Sequence, residues 1–466
     1  MFSVPGILLL TFSIYLRPQE IWAPLESWPI LHVALGLAVC GWVLDLRLGL
    51  ARMQFSPLDP WVLALLGWAL VVVAVRTPTS LPNQARELAI SATLYFLIAH
   101  GVQTFRALAW VASGVMFAAL FVVMVAVMQP FGPLGCIQID ESTPGDTTSG
   151  SYDGRSCAVV RDCYVADAEP GAEYMCEHVG LLGTTTVGRG RIRYRGVLQD
   201  PNELALAAGI ALPLVYGIGH AGRRRFGARL ALALAFGLVI LCALWTRSRG
   251  GQLVFVAVLL VPFVRRFGSR GAIVAGALAL PLVLFGGRSG AEAAVSRIER
   301  ADCWAEALSI WRSHPFFGAG LGQFGRFHYL TAHNSFLLVL AELGLPGLVA
   351  FTGLVASAVE LTRRAYKTSL DAACLAGSPE AQPVVGVWAL TLGAALAGLL
   401  VGIFFLSFAY HYVLWIYLGL AGAFAQALQN HGADVRIRPR IRDFSWAVAG
   451  SLALIVAVFV YTRIAL

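Results

Sequence analysis

Three alternating arginines, Arg191, Arg193 and Arg195, lie in a glycine-rich segment just before an apolar run. In an extended segment this alternation places their charges on one face, which is costly unless an anion neutralises them. A solvated basic strand is the alternative interpretation for any single arginine. For the cluster the pattern favours an anion site, because a guanidinium stays charged and donates two parallel hydrogen bonds to phosphate or carboxylate oxygens.

A second pair, Arg247 and Arg249, lies in the short polar segment 246–251 between two apolar runs. So short a connection keeps both guanidinium groups at a membrane surface, where solvation is poor. Snorkelling of these side chains toward lipid headgroups is the alternative. The pair predicts further anion contacts, and together the two clusters have the chemistry to bind an anion.

His333 stands at the start of an apolar run that Gly-Leu-Pro-Gly interrupts at 344–347. A lone histidine is most often structural, but this one lies at the outer mouth of a broken helix beside the candidate anion sites. We therefore predict that His333 accepts a proton as a general base. Glu20 and Glu26, in an earlier polar connection, are rival bases, whereas Glu342 lies inside the apolar run and is expected to pair with an arginine.

Four cysteines fall in one polar segment between apolar runs: Cys136, Cys157, Cys163 and Cys176. In an oxidising compartment they are predicted to form two disulfides, for which three pairings exist. A zinc site that uses two of them with His178 is the alternative, although no Cys-x-x-Cys spacing supports it. The chain also lacks an Asp-x-Asp motif, so we predict no metal and no cofactor.

The composition indicates that the segments that carry these residues belong to a protein embedded in a lipid bilayer. Of 466 residues, 58% are hydrophobic and 13% are charged, which is too apolar for water-soluble cores. The net charge of +8 is almost entirely arginine, with Lys367 the only lysine, and it falls in short clusters between apolar runs. This pattern sets membrane topology. It argues against a soluble enzyme, a disordered chain and a nucleic-acid partner.

Thirteen apolar runs are candidates to cross a bilayer as helices, although the first of them is short. They begin near Phe2, Pro29, Pro60, Glu87, Arg106, Glu203, Arg229, Gly250, Gly271, Asn334, Val384, His411 and Phe444. Seventeen Lys and Arg lie in short connections on one side and six on the other, which places the N-terminus in the cytoplasm and the C-terminus outside. The sequence therefore predicts an all-α polytopic membrane protein of about 12–13 transmembrane helices with two long periplasmic loops.

The predicted organisation alternates membrane helices with these two loops. N-terminal transmembrane helices cover 1–130, and a periplasmic loop with the four cysteines covers 131–202. Further transmembrane helices cover 203–286, a second periplasmic loop covers 287–333, and C-terminal transmembrane helices cover 334–466. The second loop is expected to hold an amphipathic helix on the membrane surface, because apolar residues recur at helical spacing: Val295, Ile298, Ala305, Leu308 and Trp311.

Four motifs in this order resemble the O-antigen ligase / O-antigen polymerase superfamily, over roughly 189–361. They are Arg195-Gly196…Asp200-Pro201-Asn202, Thr246-Arg247-Ser248-Arg249-Gly250, His314-Pro315-Phe316-Phe317-Gly318-Ala319-Gly320 and His333-Asn334-Ser335-Phe336…Glu342-Leu343-Gly344-Leu345-Pro346-Gly347. The resemblance implies a glycosyltransferase of the bacterial inner (cytoplasmic) membrane with its active site facing the periplasm. It also implies an undecaprenyl-pyrophosphate-linked glycan as donor, in contact with membrane lipid.

The resemblance implies roles for the residues above. Arg249, with Arg247, and one of the three alternating arginines would hold the pyrophosphate in place of a metal. His333 would activate the acceptor hydroxyl, and direct attack would invert the anomeric carbon because no nucleophilic carboxylate is evident.

The acceptor stays open. We expect an O-antigen or exopolysaccharide polymerase, because the basic, arginine-rich end of the outer loop suits a charged polymer. A ligase to lipid A-core, or a protein O-oligosaccharyltransferase, is the alternative. A transporter or flippase of lipid-linked glycan is disfavoured. Such proteins often show interrupted spans at matching positions in two related halves, whereas this chain shows one interrupted run and two outer loops of unequal length.

Overall fold

The computed structural model describes residues 1–139, 150–165, 168–188, 190–221, 225–285, 291–375, 384–432 and 441–466. Its helices are α1 (Ser3–Leu16), α2 (Pro18–Ile21), α3 (Ile30–Arg47), α4 (Asp59–Arg76), α5 (Leu81–Gly101), α6 (Phe105–Val127), α7 (Pro201–Ala221), α8 (Arg225–Trp245), α9 (Arg249–Phe285), α10 (Ala291–Ser313), α11 (Ser335–Leu375), α12 (Val384–Phe405), α13 (Tyr412–Asn430) and α14 (Ile441–Ala465). Three short strands are β1 (Leu134–Ile139), β2 (Gly150–Ser156) and β3 (Tyr174–His178). The predicted all-α polytopic membrane fold is confirmed.

Nine helices in the described ranges are long and apolar enough to cross a membrane, fewer than the twelve or thirteen predicted. Helix α1 has 14 residues and reaches only about 21 Å, short of a hydrocarbon core of about 30 Å. Helix α5 opens with polar residues at 83–87, which lowers its hydropathy. The two runs predicted from Gly250 and Gly271 form one element, α9, which Gly268 breaks with φ 60° and ψ −141°.

The chain divides into two compact units, one of residues 1–8, 35–112 and 289–466, the other of residues 9–34 and 113–288. In the first unit α11 contacts α4, α10, α12 and α14, and α13 packs on α5. Gly419 and Gly422 on α13 approach α5 so closely that an added Cβ would lie 2.9 Å from Ile98 and 2.6 Å from Ala99. Small residues therefore permit this close helix pairing.

In the second unit α7 packs against α8 and α9. The predicted cysteine-bearing loop contains an antiparallel sheet in the order β2-β1-β3, which the sequence did not predict. Disulfides join Cys136 to Cys163 and Cys157 to Cys176. Because these sulfurs are bonded to each other, none is left as the thiolate ligand that the zinc alternative requires.

Candidate functional site

Arg247 and Arg249 lie in the turn between α8 and α9, in the second unit. Ser248 caps α9, because its Oγ accepts the Gly251 N–H at 3.0 Å. Thr246 and Ser248 are buried, whereas both arginines are exposed. Arg247 has φ 48°, a left-handed conformation that costs a non-glycine residue about 1–3 kcal/mol and is typical of functional sites. The turn thus buries its hydroxyls and exposes both guanidinium groups.

Arg191 contacts this turn directly. Its Nε donates a hydrogen bond to the Thr246 carbonyl at 2.9 Å, and the neighbouring Ile192 N–H donates to the Trp245 carbonyl at 3.3 Å. The structure therefore brings Arg191 of the first arginine cluster to the second cluster.

Arg193 is 2% exposed and binds within the protein. Its Nε and one terminal nitrogen donate to the Thr185 carbonyl at 3.1 Å and the Thr185 hydroxyl at 2.8 Å. Its backbone N–H and carbonyl both bond to the Gln129 side chain, at 3.1 and 2.6 Å. These contacts fix the arginine segment in position, so Arg193 is the least suited of the three to contact a substrate.

Arg195 reaches back to the first outer connection. Its terminal nitrogens donate to the carbonyls of Glu20 at 2.7 Å and Leu182 at 2.8 Å. The adjacent Tyr194 hydroxyl donates to the Leu16 carbonyl at 3.0 Å, and burial raises the pKa of Tyr194 to about 12, so this phenol stays a donor at neutral pH.

These bonds place Arg17 against the arginine segment, a contact that sequence reasoning missed. Arg17 forms an ion pair with Glu20 at 2.9 Å. One of the two rival bases is therefore already paired, whereas Glu26 is exposed. The only sequence signal for Arg17 was its place on the arginine-poor outer side.

His333 lies in the first unit, directly before α11. Asn334 caps this helix, because its Oδ1 accepts the N–H groups of Phe336 and Leu337 at 2.9 and 3.1 Å. His333 is half-buried and has φ 47°, again a left-handed conformation for a non-glycine residue. The cap and this backbone conformation fix the position from which the imidazole extends.

The segment around His333 is bonded to the end of α12. Thr331 donates to the Ser407 hydroxyl at 2.6 Å. Ser335 donates to the Leu406 carbonyl at 2.7 Å and accepts the Phe408 N–H at 2.8 Å. These bonds on both sides of His333 make its surroundings a rigid part of the first unit.

The helix break in α11 is completed by the loop 314–320. Pro346 has no N–H to donate to the Glu342 carbonyl, and Gly344 leaves the helix at φ 70°. The Gly320 N–H bonds to that carbonyl at 3.0 Å, and the Ala319 N–H bonds to the Ala341 carbonyl at 2.8 Å. The third and fourth motifs of the sequence therefore form one hydrogen-bonded structure.

An aromatic cluster holds this structure in place. Trp68 of α4 donates its indole N–H to the Leu343 carbonyl at 2.8 Å. Its ring stacks on Phe317 and meets Phe316 edge-on, with both centroids at 5.3 Å. The two phenylalanines of the third motif thus anchor the loop on α4.

Glu342 has different partners from those the sequence suggested. Its carboxylate accepts the Phe324 N–H at 3.3 Å and faces the Tyr410 hydroxyl, so a backbone N–H and a phenol stand where an arginine was expected. Burial, together with this carboxylate, raises the pKa of Tyr410 well above its usual range. Glu342 thus binds the backbone of the loop 318–324, at Phe324, where an ion pair with an arginine was expected.

A family model described as O-antigen ligase matches residues 234–352. The match includes Arg247, Arg249, His333 and the helix break, and it begins after the three alternating arginines. No curated protein matches the chain. Residues 234–352 therefore identify an O-antigen ligase domain in this chain, and the predicted resemblance to the O-antigen ligase / O-antigen polymerase superfamily is confirmed.

Proposed function

We propose that this chain is a membrane glycosyltransferase that transfers a glycan from undecaprenyl pyrophosphate on the periplasmic side of the inner membrane. The observation that carries the proposal lies inside the O-antigen ligase domain. There a capped turn exposes Arg247 and Arg249, and Arg191 contacts the same turn. This is the arrangement that a pyrophosphate leaving group requires.

In the proposed reaction the acceptor hydroxyl oxygen attacks the anomeric carbon while the bond from that carbon to the pyrophosphate oxygen breaks. The electron pair leaves with the pyrophosphate, whose growing charge Arg249, Arg247 and Arg191 stabilise. His333 takes the hydroxyl proton. A single displacement inverts the anomeric carbon, and fixed guanidinium groups supply the charge that a metal provides in other transferases.

The side of the membrane is supported by two kinds of evidence. The arginine-poor connections and the cysteine-bearing loop fall on the same predicted side. The sulfurs of that loop form two disulfides, which persist in oxidising compartments such as the periplasm.

For the acceptor we propose a growing lipid-linked chain, hence an O-antigen or exopolysaccharide polymerase, because the arginine-rich end of the outer loop suits a charged polymer. A ligase to lipid A-core is the second candidate. Both reactions use the same donor and the same displacement.

The test is glycan transfer by purified protein in nanodiscs with synthetic undecaprenyl-pyrophosphate oligosaccharide and a chelator throughout. A ladder of lipid-linked products supports the polymerase, and product formed only when lipid A-core is added supports the ligase. Arg249→Lys keeps the charge but loses the planar fork, so we expect about a 10²–10³-fold slower rate. Arg161→Lys, at an exposed position in the cysteine-bearing loop, is the matched control. Absence of transfer to either acceptor would contradict the proposed function, and loss of activity with chelator would contradict metal independence.

A further inference from the structure

We propose that Arg17 and Arg195 form an oxyanion site that the Glu20 carboxylate occupies in the free protein and that a phosphate group of the donor takes over. The inference rests on the proposed function for the identity of the ligand. The site itself rests on contacts within the second unit, and none of its residues lies in the segment that matches the family model.

Two cations hold one acidic residue at this place. Arg17 binds the Glu20 carboxylate at 2.9 Å, while Arg195 binds the Glu20 backbone carbonyl at 2.7 Å. The carboxylate therefore neutralises one guanidinium, and among the described residues the hydrogen-bond partners of the second are the carbonyl oxygens of Glu20 and Leu182. A net positive charge remains, which favours an incoming anion.

Both guanidinium groups also keep an unused donor. In the part of the chain that the structure describes, the Nε atoms of Arg17 and Arg195 are buried and have no hydrogen-bond partner. A buried charged donor without a partner is costly. A phosphate group offers three acceptor oxygens where a carboxylate offers two, so it can satisfy donors that Glu20 leaves unmet.

The backbone around the two arginines is shaped to seat them. An added Cβ at Gly196 would lie 2.7 Å from the Arg17 Nε, and one at Gly183 would lie 2.7 Å from a terminal nitrogen of Arg195. Both glycines have positive φ, as do Arg17 at 50° and Leu182 at 60°. Glycine adopts positive φ readily, so the strain at this place is that of Arg17 and Leu182, and strained non-glycine residues are typical of ligand clamps.

Exchange of anions at this site leaves the segment in place. The Glu20 side chain is 35% exposed, so its carboxylate can turn into solvent without unfolding. Arg195 and Tyr194 hold the backbone carbonyls of Glu20 and Leu16, and these bonds do not involve the carboxylate. Glu20 is thus an internal competitor of the donor phosphate.

The test compares two variants, Arg17→Gln and Glu20→Gln. If the ion pair were merely structural, both substitutions would change the Kd in the same direction. Binding of inorganic pyrophosphate to the full chain in nanodiscs is measured by calorimetry. Arg17→Gln is expected to raise the Kd about 10-fold or more, since a charge-assisted bond is lost. Glu20→Gln is expected to lower the Kd about fivefold, since the competitor is neutral. The matched control, Arg161→Gln, is expected to leave the Kd unchanged.

Weaker binding in both variants, or an unchanged Kd in both, would overturn the proposal. Methyl glucuronide serves as a carboxylate probe: tighter binding of this sugar than of pyrophosphate in Glu20→Gln would assign the site to an acidic glycan and contradict a phosphate ligand. If the wild-type protein transfers glycan but the two variants do not shift the Kd in opposite directions, this site is rejected and the proposed function stands. Opposed shifts in a protein that transfers no glycan would support the site and reject the function.

Discussion

His333 stands out at the residue scale by its backbone. It is one of four non-glycine residues with positive φ in the described ranges, together with Arg17, Leu182 and Arg247. We expect His333→Ala to slow transfer about 10²–10⁴-fold, with donor binding largely unchanged if the arginines hold the donor as proposed. The measurement is turnover and donor affinity in nanodiscs. His32→Ala, at an exposed position on α3, is the control.

A general base must be neutral to accept a proton, so the wild-type rate should fall as the pH is lowered. The residual rate of His333→Ala should lack this fall, which a purely structural role of the imidazole would not explain. Near-normal turnover of the alanine variant would remove His333 from the mechanism. Glu26 would then be the leading base, since Glu20 is paired with Arg17.

The types of residue in the candidate site were predictable, but their individual partners were not. Arg247 and Arg249 were singled out because two arginines in one short connection on the arginine-poor side are unusual, and His333 because it precedes an interrupted apolar run. The buried bonds of Arg193 to Thr185 left no trace in the sequence, because a structural arginine and a ligand-binding one look alike there. Arg17 was missed because it lies against Gly196, which is far from it in the sequence.

At the scale of elements, the break in α11 gives a test of the loop 314–320. An added Cβ at Gly344 would lie 2.1 Å from the Phe316 carbonyl oxygen, and φ there is 70°. Gly344→Ala should therefore cost about 1–3 kcal/mol from the backbone conformation alone, and more from the contact. Thermal unfolding in detergent measures it. Gly325→Ala, where no atom lies within 4 Å, is the control, and equal melting temperatures would contradict the interpretation.

The sheet of the cysteine-bearing loop gives a second test. Thiol labelling of unreduced, denatured Cys374→Ser protein should modify Cys40, Cys242 and Cys303, the free cysteines of the described ranges. The four bonded cysteines should react only after reduction. Each disulfide should contribute about 2–4 kcal/mol to the stability of the loop. Mass spectrometry counts the labels, and modification of all four without reductant would contradict the pairing.

The helices were predictable and the sheet was not, for a physical reason. A helix that crosses a bilayer must be apolar along its whole length, and α12 satisfies that rule almost without exception. Strand β2 reads Gly-Ser-Tyr-Asp-Gly-Arg-Ser and lacks the apolar alternation that marks a strand. Its pairing with β1, next to two disulfides, compensates for that weak pattern.

The predicted membrane topology of the whole molecule rests on an asymmetric distribution of Lys and Arg. A fusion experiment can test that topology, and with it every statement about the outer side. The arginine bias, seventeen against six, predicts that residue 150 lies in the periplasm and residue 364 in the cytoplasm. Arg363 and Arg364 lie in the C-terminal part of α11, where both pair with Glu360. His333 lies directly before the N-terminal end of the same helix, so α11 is predicted to link the two sides of the membrane. An alkaline phosphatase fusion after Gly150 should be active and one after Arg364 inactive. A green fluorescent protein fusion should show the reverse, which controls for expression. If both fusions reported the same compartment, the arginine turn and His333 could no longer be assigned to the outer side of the membrane.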